Sequence, residues 1–287
     1  MSHTNQIDKT MKLTKDQIEY YKENGLLFIP ELFSTKEVKA MHAAVEDLIV
    51  RDIPGRILEK DNKTVRALHG CHATTEIFDS LTRHPSLLTS ACEILNSDVY
   101  VYQFKINFKA AFGGDIWPWH QDFVFWDRED GMPSPKALNV AVFLDECNEF
   151  NGPMYFIPGS HKKSLIHLGQ IESSGVNGQK NDWESNVSAA LKYSLGKETI
   201  AKLATEKGIV APKGPLGSVL FFHCNLVHGS APNISPYDRR LLIITYNSIN
   251  NIPSFKGQPR PEFLVSRNHT PLQPLLNKAL IEPASCR

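Results

Sequence analysis

Apolar and polar positions alternate with a helical period near the start of the chain. Thr14 and Gln17, and then Ser34 and Glu37, have the spacing of capping boxes, and Gly25 follows the first of these segments as a typical helix end. The apolar residues of the second segment that share one helical face are Val38, Met41, Val45, Leu48 and Ile49. The pattern predicts two helices with a short strand, LLFI, between them, and a third helical stretch over residues 76–95.

After residue 98 the pattern becomes that of strands. In VYVYQFKINFK, the side chains of Gln103, Lys105 and Asn107 occupy alternate positions and therefore share one face. Further strands are predicted within ALNVAVFLD, GPMYFIPGS, GSVLFFH and RLLIITYNS, separated by Gly, Pro and Asn. Helices followed by a run of strands indicate an α+β fold: a double-stranded β-helix, or jelly-roll (cupin-like) core, with N-terminal and flanking helices.

The same pattern predicts one domain over residues 12–287, preceded by a flexible tail at 1–11. Residues 163–208 are polar and contain two helical pieces, NVSAALKYSLG and KETIAKLATEKG. We expect this stretch to be a helical insertion between strands, or a lid.

Composition narrows the class of protein. Lys plus Arg and Asp plus Glu both number 31, which gives no basic surface for nucleic acid or an anionic membrane. No apolar run approaches the roughly 20 residues that span a bilayer, and the N-terminus has no apolar signal core. The five cysteines are scattered without a CxxC pair, which predicts reduced thiols in a cytoplasmic protein. Composition does not indicate the oligomeric state.

A candidate metal site lies in DIWPWHQDFVFW, residues 115–126. On a strand, His120 and Asp122 would point to the same face, and an imidazole with a carboxylate suits Fe(II). A third ligand is needed, and HCNLVHGSAPN offers His228, with His223 as the rival.

An arginine follows the second histidine segment. Arg239 stands eleven positions after His228, at the start of a predicted strand. Two antiparallel strands would bring its guanidinium close to the metal, where its planar fork can bind a carboxylate with two hydrogen bonds.

These motifs resemble one known family. WHQDF with EDGMP, NGPMYFIPGSH and VHGSAPNISPYDRR are similar to segments of the phytanoyl-CoA dioxygenase superfamily of Fe(II)/2-oxoglutarate oxygenases. The resemblance extends from residue 12 onward. It is closest to bacterial hydroxylases of free aliphatic amino acids, in particular the leucine 5-hydroxylases of peptide-antibiotic pathways, through RILEKDNKTVRALHGCH and QFKINFKAAFGGD. Ectoine hydroxylase is second, because Gln121, Val124 and Phe125 depart from its pattern.

The resemblance implies roles for individual residues. Iron would be bound by His120, Asp122 and His228. The 2-oxoglutarate cosubstrate would be bound by Arg239, Ser230 and Asn107, with Gln103 beside the cosubstrate or the substrate, and O2 would be the oxidant. Because related halogenases lack the carboxylate ligand, Asp122 favours hydroxylation. His161 of PGSH is expected to order its loop.

The implied reaction is hydroxylation of an unactivated C–H bond of a free, leucine-like L-amino acid, with release of succinate and CO2. Strand alternation from His120 would put Trp126 on the ligand side, with Trp119, Gln121 and Phe123 opposite. The aromatic candidates for the substrate cavity are Trp117, Trp126 and Phe222. Candidate partners for the substrate carboxylate are Arg66, His72 and Lys105, and Asp115 is the candidate for its ammonium group.

Three alternatives stay open at this stage. The substrate could be ectoine, or an amino acid tethered to a carrier protein. The chain could also be a metal-binding jelly roll without catalysis, which would have no need of Arg239.

Overall fold

The computed structural model describes residues 11–166, 182–189, 191–255 and 257–275. Two of its helices begin at the predicted capping boxes. Helix α1 (Lys15–Asn24) and helix α2 (Thr35–Ile49) each show both reciprocal hydrogen bonds of the box, made by Thr14 and Ser34. Gly25 ends α1 with a left-handed φ of 77°. These local predictions are confirmed.

The third predicted helix is two helices. Helix α3 (Glu76–Thr82) ends before Pro85, and helix α4 (Pro85–Leu95) begins on that proline. The ring of Pro85 disfavours helical backbone at His84, which has φ −60° and ψ 126°. One continuous helix over 76–95 was therefore wrong.

Ten strands in the described residues form two antiparallel sheets. The strands are β1 (Leu26–Ile29), β2 (Arg56–Leu58), β3 (Val65–His69), β4 (Val99–Lys109), β5 (Trp117–His120), β6 (Ala137–Phe143), β7 (Met154–Phe156), β8 (Val219–His223), β9 (His228–Ser230) and β10 (Arg239–Ser248). The larger sheet has the order β1-β8-β6-β10-β4-β3-β2, and the smaller has the order β5-β9-β7. Strands β2, β3 and β9 are too short and irregular for their periodicity to predict them.

The larger sheet is covered differently on its two faces. One face packs on helices α1 to α4 in an apolar core that includes Val38, Phe78 and Leu242. The other face meets the smaller sheet, where Phe156 of β7 packs with Phe222 of β8. Two antiparallel sheets packed face to face confirm the predicted jelly-roll core with flanking helices.

The predicted insertion at 163–208 is partly described. Residues 167–181 and 190 lie outside the described residues, as do residues 1–10 of the predicted tail and Cys286. KETIAKLATEKG forms helix α6 (Lys197–Lys207), as predicted. The described residues of NVSAALKYSLG form no α-helix and follow a 3-10 turn over Asp182–Asn186. None of the described helices is both long and apolar enough to span a bilayer.

Candidate active site

His120 and Asp122 lie at a junction between a strand and a helix. Strand β5 ends at His120, Gln121 is still extended, and helix α5 (Asp122–Asp130) begins at Asp122. The expectation that both side chains project from one strand was therefore wrong. They converge because the chain turns into a helix whose first turn favours a carboxylate, and His120 Nε2 lies 3.5 Å from Asp122 Oδ1.

His228 completes the cluster. It begins β9 directly opposite His120 in the strand register, and the two ring centroids are 4.2 Å apart. Its Nε2 lies 3.8 Å from Asp122 Oδ2, and one ligand atom from each of the three residues lies within 4.8 Å of the others. The rival His223 accepts a hydrogen bond from the backbone N–H of Asn225 at 3.0 Å and packs against the His161 ring instead.

Hydrogen bonds orient the three candidate ligands. His120 Nδ1 lies 2.7 Å from the carbonyl of Pro118, and His228 Nδ1 lies 2.9 Å from that of Leu226. Each ring therefore donates through Nδ1 and leaves Nε2 free to bind a metal. Asn139 donates to Asp122 Oδ2 at 2.8 Å and accepts from the hydroxyl of Thr245 at 2.7 Å.

The electrostatics keep Asp122 and His228 in metal-binding protonation states. Burial alone would raise the pKa of Asp122, but Lys105, His228 and His120 together hold that pKa well below its usual range. Burial, with His120 second, lowers the pKa of His228 to about 3. A deprotonated carboxylate and a neutral imidazole are the forms that bind a divalent cation.

Unpartnered polar atoms lie beside this cluster. Arg239 is buried at the start of β10. One of its terminal nitrogens donates to the carbonyl of Gly152, and its Nε has no partner within the described part of the chain. Ser230 Oγ and Asn107 Oδ1 are also buried without a partner among the described residues. All three residues line the same cavity as the His-Asp-His cluster. Buried polar groups are rarely left unsatisfied, so this pattern fits a polar anionic ligand.

Most of the other predicted site residues line this cavity too. Gln103 and Lys105 project into it from β4, and Trp117, Trp126 and Phe222 form parts of its wall. Trp126 reaches the cavity from helix α5, one turn after Asp122, so the strand alternation used to place it was the wrong reason.

Three predicted substrate residues lie outside the cavity lining. The guanidinium of Arg66 is bonded to Glu59 and sits behind Trp117. The ring of His72 stacks on Phe104, with centroids 5.1 Å apart. The carboxylate of Asp115 accepts from its neighbour's backbone N–H and pairs with Lys60 at 3.1 Å.

Several lining residues were not predicted from the sequence. They are His69, Phe125, Met154, Asn186, Val187, Leu191, Gly229, Ile243, Arg260 and Leu264. His69 lies opposite Lys105 in the register of β3 and β4, which an assignment of β3 would have revealed. No sequence motif around Arg260 predicts that it lines the cavity. Its two bonds to Asp130, at 2.9 and 2.5 Å, join residues 130 positions apart.

The fold and the cluster together define a class. A jelly roll that brings together two histidines from paired strands and one carboxylate from the adjoining helix has the arrangement of non-haem iron oxygenases with a facial triad. The family model for phytanoyl-CoA dioxygenase (PhyH) matches residues 21–241. The chain belongs to the phytanoyl-CoA dioxygenase family.

Individual relatives are also similar over most of their length. L-proline trans-4-hydroxylase from Streptomyces griseoviridis is 41% identical over 257 residues, which cover 89% of this chain and 93% of the relative. Ectoine dioxygenase from Bordetella bronchiseptica is 37% identical over 279 residues, covering 94% and 88%. Among solved structures, EctD from S. alaskensis with 2-oxoglutarate and 5-hydroxyectoine superposes with a TM-score of 0.80 at 29% identity, covering 96% of this chain and 90% of that one. The same protein with bound Fe gives 0.79 at 30% identity, covering 94% and 89%.

Proposed function

We propose that this protein is an Fe(II)/2-oxoglutarate-dependent dioxygenase that hydroxylates a free aliphatic L-amino acid and releases succinate and CO2. Fe(II) would be bound by His120, Asp122 and His228. We also propose that it works in the cytoplasm, which is supported by the free thiols of the four described cysteines.

One observation carries the proposal. The unpartnered atoms of Arg239, Ser230 and Asn107 are buried within the cavity that holds the His-Asp-His cluster. A guanidinium fork with a neighbouring hydroxyl and amide suits the distal carboxylate of 2-oxoglutarate. A protein that only stored or sensed a metal would gain nothing from a buried arginine at this position, because the desolvated charge is costly without an anion.

The chemistry divides between metal and protein. Bound Fe(II) supplies the activation of O2 that breaks an unactivated C–H bond. The protein's residues bind, orient and exclude water. Asn139 fixes the Asp122 carboxylate, and Arg239 fixes the cosubstrate. The rings of Trp126 and Phe222 present an apolar wall that keeps the reacting carbon dry.

The cavity also supports a small zwitterionic substrate with an aliphatic side chain. Lys105 is a lining cation available to a carboxylate, and Arg260 adds positive charge although its Nε and Nη2 are bonded to Asp130. Ile243, Leu264 and Phe125 offer apolar contacts. The 41% identical relative acts on L-proline, which is a free amino acid. We propose a leucine-like amino acid as the substrate, and proline is the second free amino acid to test.

Ectoine is the second candidate substrate. It is supported by the ectoine dioxygenase relative and by the structural similarity to EctD. Both substrates carry one carboxylate on a compact body, so the cavity cations do not separate them. A substrate tethered to a carrier protein is a further alternative.

A substrate panel tests the proposal. Purified protein with Fe(II), ascorbate and 2-oxoglutarate is incubated with leucine, isoleucine, proline and other free amino acids, with ectoine, and with carrier-bound amino acids. Mass spectrometry measures the gain of one oxygen atom, and succinate is quantified in parallel. We expect a hydroxylated free amino acid formed together with succinate.

The Arg239→Gln variant separates an oxygenase from a metal-binding protein without catalysis. An oxygenase should bind iron but lose 2-oxoglutarate turnover in this variant, whereas a metal-binding protein without catalysis should show no 2-oxoglutarate turnover before or after the substitution. Product from ectoine alone, or from carrier-bound amino acids alone, would reject the proposed substrate class.

A further inference from the structure

A buried ion pair lies directly behind the cavity wall. Arg66 Nη1 lies 3.1 Å from both carboxylate oxygens of Glu59, and the two side chains are 2% and 8% exposed. Neither residue lines the cavity. Removing two charges from water is costly, and a buried pair is often no more stabilising than apolar residues of the same volume. The stability of the fold therefore does not explain why this ion pair is buried here.

The remaining donors of Arg66 bind two parts of that wall. Its Nε donates to the carbonyl of Val187 at 3.0 Å, and its Nη2 donates to the carbonyl of Ile116 at 3.1 Å. The guanidinium carbon lies 3.8 Å from the centroid of the Trp117 ring, at cation–π distance. Glu59 also accepts the backbone N–H of Asp115 at 3.3 Å.

The two parts of the wall come from distant segments. Trp117 begins β5, whose other end carries His120. Val187 belongs to the described stretch 182–189 and stands beside Asn186. Trp117, His120, Asn186 and Val187 all line the cavity. One rigid guanidinium thus links the metal-bearing strand to a second stretch of the cavity lining, residues 182–189.

We propose that Arg66 is a positioning residue that sets the separation of Trp117 and Val187, and thereby holds the substrate's C–H bond in place. It contacts neither substrate nor cosubstrate. Its fork is already bonded to Glu59, Val187 and Ile116, so it has no free face for a substrate carboxylate.

The first test measures coupling, and it rests on the proposed function. Arg66→Lys keeps the charge but removes the planar fork and the stacking surface. A misplacement of about 1 Å lowers a reaction rate on the order of 100-fold, so we expect hydroxylated product to fall on that scale. Consumption of 2-oxoglutarate and its KM should change far less, because Arg239 is untouched. The ratio of succinate to hydroxylated product therefore rises.

A double-mutant cycle shows whether the effect passes through Trp117. If Arg66 acts by positioning that ring, Arg66→Lys in a Trp117→Phe background should add much less uncoupling than it does alone. Multiplicative effects would overturn the proposal. The matched control is Arg240→Lys, which breaks a comparable fork to Asp145 (2.8 Å) on the helix-covered side. Equal uncoupling by this control would also overturn it.

The second test needs no iron and no turnover, so it stands even if the proposed function fails. Hydrogen–deuterium exchange compares wild type and Arg66→Lys without metal. We expect peptides covering 115–119 and 182–189 to exchange roughly 10-fold faster, because each loses a hydrogen bond to a charged group. Helices α1 to α4 should be unchanged. Unaltered exchange in the two peptides would show that Arg66 does not position these segments. A uniform increase across the chain would show that Arg66 only stabilises the fold, and either result would overturn the proposal.

Discussion

The two ends of the cavity are built in different ways. At the metal end, His120 and His228 are each oriented by a carbonyl two residues earlier in the chain, those of Pro118 and Leu226. In the rest of the lining, which we call the substrate end, side chains are fixed by remote ion pairs. Glu59 with Arg66 supports Trp117 and Val187, and Asp130 with Arg260 joins residues 130 positions apart.

This difference separates two kinds of design. Local orientation gives a preformed metal cluster that depends little on the rest of the cavity. Remote orientation lets the substrate end change through substitutions that leave the metal chemistry intact. Relatives in one family can then share an oxidant while acting on L-proline in one case and ectoine in another.

The largest expected effect is at the metal end. His120→Ala should abolish stoichiometric iron binding and lower succinate formation by more than about 100-fold, since even residues that only orient metal ligands contribute about 10–100-fold. Metal analysis and succinate assays measure both. His223→Ala is the matched control and should retain iron. Intact succinate formation in His120→Ala would refute the assignment of the cluster.

Arg239 is proposed to bind the cosubstrate and not the metal, and its substitution should have a smaller effect. Arg239→Gln removes a charged hydrogen-bonding partner of about 2–3 kcal/mol, which corresponds to a rise in the KM for 2-oxoglutarate on the order of 100-fold. Iron binding should remain. Arg239→Lys keeps the charge without the fork, so its KM for 2-oxoglutarate should lie between those of wild type and Arg239→Gln. An unchanged KM in Arg239→Gln would show that the cosubstrate binds elsewhere.

The same contrast explains what the sequence could predict. His120, Asp122 and His228 were accessible because their motifs are short and stand at the ends of strands. Even there, the strand assumed at Asp122 is a helix, because Gln121 carries no signal of the change. Arg260 and the bonded state of Arg66 were inaccessible, since both depend on contacts between segments far apart in sequence. Secondary-structure patterns carry no information on such pairs.

A third prediction concerns Asp122, the metal ligand that is oriented by a contact from another strand. Asn139→Ala removes the donor to Asp122 and should weaken iron affinity about 10-fold or more, within the range for residues that orient metal ligands. Thr245→Val, one hydrogen bond further out, should have a smaller effect in the same direction. Iron titrations measure both. If Thr245→Val weakened iron binding more than Asn139→Ala, the proposed order of contacts would be wrong.

The smallest effect concerns the acid stability of the substrate end. Burial lowers the pKa of His69 to about 3, with Lys105 and Arg260 contributing. Between that value and the unfolded value of about 6.5, the unfolded chain binds more protons, so stability falls as the pH falls through this window. His69 Nε2 has no hydrogen-bond partner among the described residues, so His69→Phe removes this titration without breaking a bond at that atom.

Denaturant unfolding of iron-free protein at pH 6.5 and 5.5 measures the contribution. Over that interval, protonation of His69 in the unfolded chain should lower the free energy of unfolding of wild type by about 1 kcal/mol, a loss that His69→Phe does not suffer. His42 is the control of opposite sign. Its hydrogen bond to Asp145 raises its pKa, so its stabilisation is fully present below about 6.5 and is lost as the pH rises through the folded value. His42→Phe should therefore be more destabilising at pH 5.5 than at 6.5. An equal loss for wild type and His69→Phe would mean that the imidazole is not held neutral, and the substrate end would then be more hydrated than its burial indicates.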